Sequence, residues 1–252
     1  MNHKSQVEAL LRSIETGEHG PAAVINPDKY IQHNLGVADG LAGFGAVLAQ
    51  LPPGSARART VRVFEDGDFV FAHTEYDFFG PKIGFDVFRF EDGKIVEHWD
   101  NLQTTAAPNP SQHTMIDGAT ELGDLDRTDA HRALVASFVD DVLVHGRLDR
   151  LANYFDGDSY VQHNPGIADG LSGLATALEQ MAAKGITMRY TRVHRVLAEG
   201  NFVLVMSEGE YGGVATAFYD LFRVEGGKIA EHWDTIEPIP ARESWKNPNG
   251  KF

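Results

Sequence analysis

The residues best suited to chemistry lie near the end of a short segment that reads DVFRFEDGKIVEHWD. Successive side chains of a strand point to opposite faces, so a strand at Ile95–Asp100 places His98 and Asp100 together. In the strand before it, Asp86 and Phe88 share a face. Burying an unpaired charge is costly, so polar groups among phenylalanines are normally paired or functional. A carboxylate in such surroundings has its pKa raised by desolvation and could act as a base near neutral pH.

Two further segments carry candidate residues. A strand at Phe69–Tyr76 places Phe71 and His73 on one face, and we expect them to line the same pocket. The segment QHN contributes His33 and Asn34, whose side chains could donate a hydrogen bond to an oxygen that gains negative charge during a reaction.

The whole pattern occurs twice. Tyr30–Gln50 and Tyr160–Gln180 are identical at 12 of 21 positions, and Asp86–Asp100 and Asp220–Asp234 at 11 of 15. A period of about 130 residues exceeds that of solenoid repeats, so each copy is a small domain. The second copy repeats the candidate residues as His163, Asn164, Met206 (where the first copy has His73), Asp220, Phe222, His232 and Asp234.

The elements that must position these residues are helices followed by strands. From Val7 to Ile14 apolar residues recur at helix spacing, and Asp39 precedes a second helix as its expected N-cap. Asp66-Gly67 and Asp92-Gly93 mark two hairpins. Each copy is therefore predicted to be an α+β domain in which N-terminal helices pack on a curved antiparallel sheet, with a pocket at the open end of this cone.

The predicted domains span residues 1–107 and 127–240. Residues 108–126 are rich in proline and small polar residues and are predicted to be a linker, and residues 241–252 form an irregular tail.

Composition excludes several classes of protein. The chain has no cysteine, which excludes disulfide scaffolds and thiolate metal sites. Its net charge of −14 argues against nucleic-acid binding. No apolar run has the length of a membrane span and the N-terminus has no signal-peptide pattern, so we expect a cytoplasmic protein without membrane association.

QHN before a Gly-Leu helix, followed by D-[VL]-F-R-x-x-x-G-K-I-x-E-H-W-D, resembles the SnoaL-like polyketide cyclase family. The similarity is greatest to the branch described as predicted aldol-condensation-catalysing enzymes. The resemblance covers both copies, but most members have a single copy, so the tandem duplication is a departure. It implies the cone fold shared with nuclear transport factor, ketosteroid isomerase and limonene epoxide hydrolase. Because single-copy members commonly dimerise through their sheets, it also implies an intrachain pseudo-dimer, which could form a further homodimer.

The resemblance implies a cofactor-independent enzyme that removes a proton next to a carbonyl, for aldol-type cyclisation, isomerisation or dehydration of a small hydrophobic, polyketide-like substrate. Carried over to this chain, the catalytic positions are His33, His98 and Asp100 in the first copy and His163, His232 and Asp234 in the second. The expected pocket lining consists of Asn34, Phe71, His73, Asp86 and Phe88, with Asn164, Met206, Asp220 and Phe222 in the second copy.

Other interpretations stay open at the level of sequence. His98 and Asp100 could form a structural hydrogen-bonded pair, and His33 could bond to the backbone at a turn. Trp99 is expected to pack away from the pocket and Glu97 to face outward without a role. Two histidines and a carboxylate per copy could form a metal site, but no compact HxH or HxxxH spacing is present and we expect no metal. A non-catalytic protein that binds a hydrophobic ligand, and an interaction scaffold, are the alternatives to an enzyme.

Overall fold

The computed structural model describes residues 2–52 and 54–252. The chain forms two compact units, which are described separately. Unit 1 comprises Met1–Thr105 together with Pro240–Phe252, and unit 2 comprises Ala106–Ile239. Among the described residues no helix has both the length and the apolar character needed to cross a membrane.

Unit 1 is an α+β domain with one five-stranded sheet. Its elements are α1 (His3–Thr16), a 3-10 turn (Gly20–Val24), β1 (Ile31–Gln32), α2 (Gly40–Leu48), β2 (Arg57–Asp66), β3 (Phe69–Asp77), β4 (Pro81–Glu91) and β5 (Lys94–Thr104). The strand order is β1-β5-β4-β3-β2. The short β1 runs parallel to β5, and the other pairs are antiparallel.

Unit 2 repeats this architecture with small changes. Its elements are α3 (Thr128–Phe138), a π-helical turn (Val139–Val144), α4 (Leu151–Tyr154), β6 (Val161–Gln162), α5 (Gly170–Ala183), β7 (Met188–Glu199), β8 (Phe202–Tyr211), β9 (Val214–Glu225) and β10 (Lys228–Pro238), with 3-10 turns at Leu125–Arg127 and Leu148–Arg150. The strand order β6-β10-β9-β8-β7 is that of unit 1. The predicted α+β class with two tandem domains is confirmed.

The predicted turns and helix faces account for this arrangement. Asp92 and Gly93 both have positive φ, 50° and 73°, and join β4 to β5. A two-residue hairpin with positive φ at both central positions is the type that matches strand twist, and Asp-Gly favours it. Val7, Leu10 and Leu11 of α1 are buried against the sheet, as their helical spacing predicts.

The segment that follows each sheet lies against backbone around a QHN motif. In unit 2 the side-chain amide of Asn109 donates to the carbonyl oxygens of Gln162 (2.6 Å) and Ile167 (2.9 Å). In unit 1 that of Asn247 donates to the carbonyls of Asn34 (2.8 Å) and Val37 (2.9 Å). The sequence regions predicted as linker and tail therefore each complete the surroundings of one QHN motif.

We predict that Asn247→Ala and Asn109→Ala each destabilise the unit that contains the substitution. Each change leaves two carbonyl groups without their amide donor, which costs about 1–3 kcal/mol per buried group left unsatisfied. Urea unfolding of the full chain measures this loss of unfolding free energy. Asn201→Ala is the comparison, because it removes a side-chain amide that accepts one backbone hydrogen bond, from Gly123, and donates to neither QHN motif. Unchanged unfolding free energies for both variants would contradict the assignment.

Candidate functional site

The candidate site of unit 1 forms on one face of β4 and β5. Asp86 and Asp100 are direct cross-strand partners, and so are Phe88 and His98. The ring of Phe88 stacks on the imidazole of His98, with 4.6 Å between centroids. The two-residue period of the strands thus brings together the side chains that the sequence placed on one face.

His98 is held at both ring nitrogens. Its Nδ1 lies 3.0 Å from Oε1 of Gln32, and its Nε2 lies 3.1 Å from Oδ1 of Asp86. The hydroxyl of Tyr76 donates to the other oxygen of Asp86, Oδ2, at 2.6 Å. Gln32, Asp86 and Tyr76, which form this hydrogen-bonded network with His98, are all buried.

The hydrogen bonds fix where one proton of His98 lies. Oε1 of Gln32 also accepts the backbone N–H of Asn34 at 2.8 Å, which identifies this atom as the oxygen of the amide. Nδ1 of His98 must therefore carry hydrogen. Nε2 then shares a second proton with Asp86, whose pKa is raised by burial although the hydrogen bond to His98 opposes the shift.

Asp100 presents one oxygen that no hydrogen bond restrains. Its Oδ2 accepts from the side-chain amide of Asn34 at 2.6 Å. Its Oδ1 is buried and accepts no hydrogen bond from the described residues. The ammonium of Lys251 lies 3.7 Å from Oδ1, beyond hydrogen-bond distance, and both side chains are buried. The carboxylate is thus oriented by one amide, while Oδ1 accepts no hydrogen bond from the described residues and faces the ammonium of Lys251.

Unit 2 reproduces the arrangement. His232 lies 2.9 Å from Oε1 of Gln162 and 3.0 Å from Oδ1 of Asp220. The amide of Asn164 donates to Oδ2 of Asp234 at 2.7 Å, and Oδ1 of Asp234 again accepts no hydrogen bond from the described part of the chain. Burial raises the pKa of Asp234 to about 6, with a smaller contribution from the charge of Asp220 and opposition from His232.

A cavity of about 90 Å³ lies over the site of unit 1. Helices α1 and α2, strand β5 and three loop residues supply its apolar walls, namely Leu10, Leu11, Ile14, Val37, Phe44, Val47, Leu48, Leu51, Phe78 and Leu102. The polar groups gather at one end: Tyr30, Gln32, Asn34, Tyr76, Asp86, His98 and Asp100, beside Phe88. An apolar cavity with a few convergent polar groups is typical of a small-molecule site.

The two units differ around this cavity. Leu10 borders it in unit 1. At the matching position of α3, Phe138 places its ring 5.6 Å from that of Phe222 and 5.2 Å from that of Phe155. The interior of unit 2 therefore contains an aromatic ring where unit 1 has an aliphatic side chain.

The structure brings together only part of the predicted set. His98, Asp100, Asn34, Asp86 and Phe88 converge at the cavity. In unit 2 the residues joined by the equivalent hydrogen bonds and ring contact are His232, Asp234, Asn164, Asp220 and Phe222.

His33 and His163, which the resemblance placed among the catalytic residues, lie on the face of the sheet opposite to the one that carries His98 and His232. His33 stacks on Trp99 with 4.7 Å between centroids, and its Nε2 lies 3.0 Å from Oε1 of Glu97. The reason is register: β1 pairs with β5 so that Gln32 is opposite His98, which turns the next side chain away from the cavity. His163 makes the same contacts with Trp233 and Glu231. This corrects the prediction that both histidines belong to the reactive cluster.

Phe71, His73 and Met206 also require correction. Ala72 is the cross-strand partner of Asp86, so the side chains of its neighbours Phe71 and His73 point to the other face of the sheet. There the ring of His73 stacks on Phe85, with 4.2 Å between centroids. In unit 2 Val205 is the partner of Asp220, and the adjacent Met206 likewise points away.

Two smaller expectations are also wrong. Glu97 has a structural role, because it accepts from Arg89 at 2.7 Å as well as contacting His33. Burial alone would raise the pKa of Glu97, but these two hydrogen bonds hold it below its ordinary value. Asp39 occupies the predicted N-cap position of α2 but does not have the expected capping role, because its side chain makes no bond to this helix. Its Oδ1 accepts the N–H of Gln32 at 2.9 Å.

Sequence reasoning missed Gln32, Tyr30 and Tyr76, and in unit 2 it missed Gln162, Tyr160 and Tyr190. Tyr190 donates to Asp220 as Tyr76 donates to Asp86, but it does so from β7, where it is the cross-strand partner of Gly209 on β8. Gln32 could have been found, because it is two residues before Asn34 and a strand would place both on one face. Tyr76 lies on the face of β3 opposite to the one selected. Burial raises the pKa of Tyr76 well above its usual range, and the nearby carboxylate of Asp86 adds to the shift. Its hydroxyl therefore stays protonated at neutral pH.

The buried cluster offers ligand atoms as well as acid–base groups. One atom each of Asp86, His98 and Asp100 lie within 4.8 Å of one another, and Asp220, His232 and Asp234 match them. The predicted two-histidine set does not form, because His33 is on the other face. The cluster of each unit therefore offers a single imidazole, and Nε2 of His98 shares a proton with Asp86, so we interpret the cluster as an acid–base site.

The fold and site define a duplicated α+β protein with a buried carboxylate–imidazole cluster in each unit. Comparison with protein families gives two matches to the SnoaL-like domain, at residues 19–98 and 135–232. These matches cover most of the chain, so the protein belongs to the SnoaL-like domain family.

The chain is also similar to several solved structures, at low sequence identity. A candidate ketosteroid isomerase from Kribbella flavida is 20% identical, with 46% of this chain and 87% of that chain covered and a TM-score of 0.37. A protein of unknown function with a cystatin-like fold from Xanthomonas campestris is 22% identical, with 42% of this chain and 89% of that chain covered and a TM-score of 0.35. A SnoaL-like polyketide cyclase from Agrobacterium tumefaciens is 15% identical, with 42% of this chain and 91% of that chain covered and a TM-score of 0.33. No curated protein matches the chain at a significant level.

The raised pKa of Asp234 predicts a pH-dependent stability that Asp234→Asn removes. Between about pH 4 and pH 6 the native carboxyl keeps a proton that the unfolded chain has released, so wild type loses stability relative to the variant as pH rises. The shift from 3.8 to about 6 corresponds to roughly 3 kcal/mol. Urea unfolding across this range measures the difference, with the exposed turn variant Asp92→Asn as control. A difference independent of pH would contradict the assigned shift.

Proposed function

We propose that the protein is a cofactor-independent enzyme that abstracts a proton from carbon next to a carbonyl group. The observation that carries this proposal is the carboxylate pair Asp100 and Asp234. Each is buried, each is oriented through Oδ2 by an asparagine, and each leaves Oδ1 without a hydrogen bond from the described residues.

These surroundings suit a general base. Desolvation disfavours the ionised carboxylate, so a buried carboxylate binds a proton more tightly than an exposed one. With its pKa raised to about 6, Asp234 is still ionised at neutral pH and is a stronger base than an ordinary aspartate. Asn164 holds the carboxylate in place, so that little reorientation is needed when the proton is transferred.

The tyrosines supply hydrogen-bond donors for the oxygen of the substrate. Tyr30 lines the cavity, and burial raises its pKa, so its hydroxyl stays protonated. In unit 2 the hydroxyl of Tyr160 accepts from the amide of Gln162 at 3.1 Å, which leaves its own hydrogen to donate. A pre-positioned donor of this kind stabilises an enolate oxygen by a few kcal/mol.

The reaction then follows in balanced steps. Oδ1 of Asp100 takes the proton from carbon, and the electron pair of that C–H bond moves to form the enolate, with negative charge on the carbonyl oxygen. Attack of the enolate carbon on a second carbonyl of the same molecule re-forms the first carbonyl and leaves an alkoxide, which takes the proton held by Asp100 and completes aldol cyclisation. Return of that proton from Asp100 to another carbon of the enolate instead gives isomerisation. Loss of hydroxide from the β-carbon, which leaves as water with the proton held by Asp100, gives dehydration.

The cavity supports a small hydrophobic substrate. Its walls are aliphatic and aromatic, while its polar groups occupy one end. A ligand would therefore direct one carbonyl toward Tyr30 and Asp100 and place its apolar part between α1 and α2.

A binding protein without turnover is the second candidate. The observation that favours it is the closure of the network around His98, whose two nitrogens are satisfied by Gln32 and Asp86 and need no substrate. In that case the cavity would hold a hydrophobic carbonyl compound that is not changed.

Deuterium uptake distinguishes the two candidates. Wild type and Asp100→Asn/Asp234→Asn would be incubated in D₂O with a panel of β-dicarbonyl, enone and polyketide-like compounds and followed by mass spectrometry. We predict exchange next to the carbonyl, reduced at least about 100-fold in the double variant, since a positioned base contributes 10²–10⁴-fold. The single variants apportion the activity between the units, and Asp92→Asn is the matched control.

Exchange that persists in the double variant would reject both aspartates as bases. Binding without exchange of any compound would reject the enzyme in favour of the binding protein.

A further inference from the structure

A second cluster of ligand atoms lies in unit 2, on the opposite side of β10 from Asp234. His113 and Asp117 belong to the segment that follows β5, and His163 belongs to the QHN motif. One ligand atom from each lies within 4.8 Å of the others. The side chain of His163 is fully buried, whereas those of His113 and Asp117 are 32% and 44% exposed. Solvent can therefore reach the cluster from the side of His113.

Each histidine places its Nδ1 near Asp117. Nδ1 of His163 lies 2.8 Å from Oδ1 of Asp117 and 2.9 Å from the carbonyl oxygen of Thr114. Nδ1 of His113 lies 3.8 Å from the other oxygen of Asp117, Oδ2.

The far nitrogen of each ring contacts a different carboxylate. Nε2 of His163 lies 2.9 Å from Oε1 of Glu231, and Nε2 of His113 lies 3.2 Å from Oδ2 of Asp169. A metal-ligating histidine almost always donates its other N–H to a carboxylate, carbonyl or water, which fixes the tautomer and the orientation of the ring. Both histidines have this arrangement here, with their Nδ1 atoms directed at one shared carboxylate.

Both ring nitrogens of His163 face oxygen acceptors, which favours positive charge at this position. If Nε2 of His163 donates to Glu231, then its Nδ1 lone pair, the carbonyl of Thr114 and Oδ1 of Asp117 are three acceptors at mutual contact. Either a proton on Nδ1 or a metal ion must occupy that position. Asp117, Asp169 and Glu231 bring three negative charges, of which Arg223 offsets that of Glu231, so the two carboxylates that remain still favour a cation.

We propose that His113, Asp117 and His163 form a binding site for a divalent transition-metal ion, with the carbonyl oxygen of Thr114 as a further ligand. Two imidazoles with a carboxylate suit zinc, cobalt, nickel or iron(II), whereas calcium and magnesium prefer oxygen-only sites. The ion joins the segment at 113–117 to the QHN motif of unit 2, so its first role is to fix that segment.

Unit 1 contains a natural comparison site. His33 corresponds to His163 and has a carboxylate, Glu97, on Nε2, but its Nδ1 lies 2.9 Å from the carbonyl oxygen of Gly250. Three-ligand clusters among residues 2–52 and 54–252 do not include His33. The proposal therefore predicts one such ion per chain, bound in unit 2.

Cobalt(II) titration of the metal-free full chain at neutral pH tests the site, with the visible absorption of the bound ion and calorimetry as readouts. We expect one ion per chain, displacement by zinc, and no displacement by magnesium or calcium. Since binding replaces a proton, affinity rises with pH and protons are released. His113→Asn and Asp117→Asn should each weaken binding at least about tenfold, because even outer contacts of a metal site contribute 10–100-fold.

Two further variants keep the test decisive. Asp169→Asn retains an oxygen for the N–H of Gln162. It should lower affinity about tenfold while leaving the cobalt spectrum unchanged, because it acts through His113. His145→Asn is the control. Nδ1 of His145 lies 3.6 Å from the carboxylate oxygen Oδ1 of Asp140, but His145 belongs to none of the three-ligand clusters among the described residues. Circular dichroism checks that each variant is folded.

The proposal is overturned if the folded wild-type chain binds no cobalt, or if His113→Asn and Asp117→Asn bind it as tightly as wild type. Equal weakening by His145→Asn would indicate non-specific surface binding and would also overturn it. Because the readouts are binding and spectra, these outcomes do not depend on the proposed catalytic activity.

Discussion

One buried amide oxygen organises each site. Oε1 of Gln32 accepts both the N–H of Asn34 and Nδ1–H of His98, and Oε1 of Gln162 accepts the equivalent groups in unit 2. A buried acceptor normally has a hydrogen-bond donor, and the two donors to this oxygen connect the QHN motif to the EHWD motif. Because Nδ1 of the histidine is committed to this amide, only Nε2 remains to face Asp86. The position of the shared proton, and with it the acid–base character of the cavity, depends on this contact.

The same strands carry a second polar layer with a different purpose. On the far face of β5, Glu97 joins His33 and Arg89 beneath the stacked ring of Trp99. Successive side chains of a strand point to opposite faces, so this ion-paired layer lies away from the cavity. Neighbouring residues of the EHWD motif therefore have different roles. Both layers are present in both units. Besides the change from Leu10 to Phe138, the units differ in the segments that follow their sheets, where Lys251 approaches Asp100 in unit 1 and His113 and Asp117 contact His163 in unit 2.

Much of this was predictable from the sequence and some was not. The repeat and the hairpin signal of Asp92-Gly93 give the domain organisation and the turn. Strand alternation correctly groups His98 with Asp100. It cannot place His33, because the face of that residue depends on the parallel register of a two-residue strand against β5. Nor can local pattern show that Asn247 returns to the QHN motif of unit 1, a contact across more than 200 residues of sequence.

The acid–base character of both sites depends on a hydrogen that Nδ1 of His98 and of His232 always carries. Nitrogen-15 NMR of the two imidazole rings in the full chain tests it directly, with assignment by Gln32→Glu and Gln162→Glu variants. We predict that Nδ1 of both rings keeps the chemical shift of a protonated nitrogen from about pH 5 to pH 8, while Nε2 reports the proton shared with Asp86 or Asp220. An Nδ1 with the shift of an unprotonated nitrogen at neutral pH would contradict the assigned network and the acid–base site built on it.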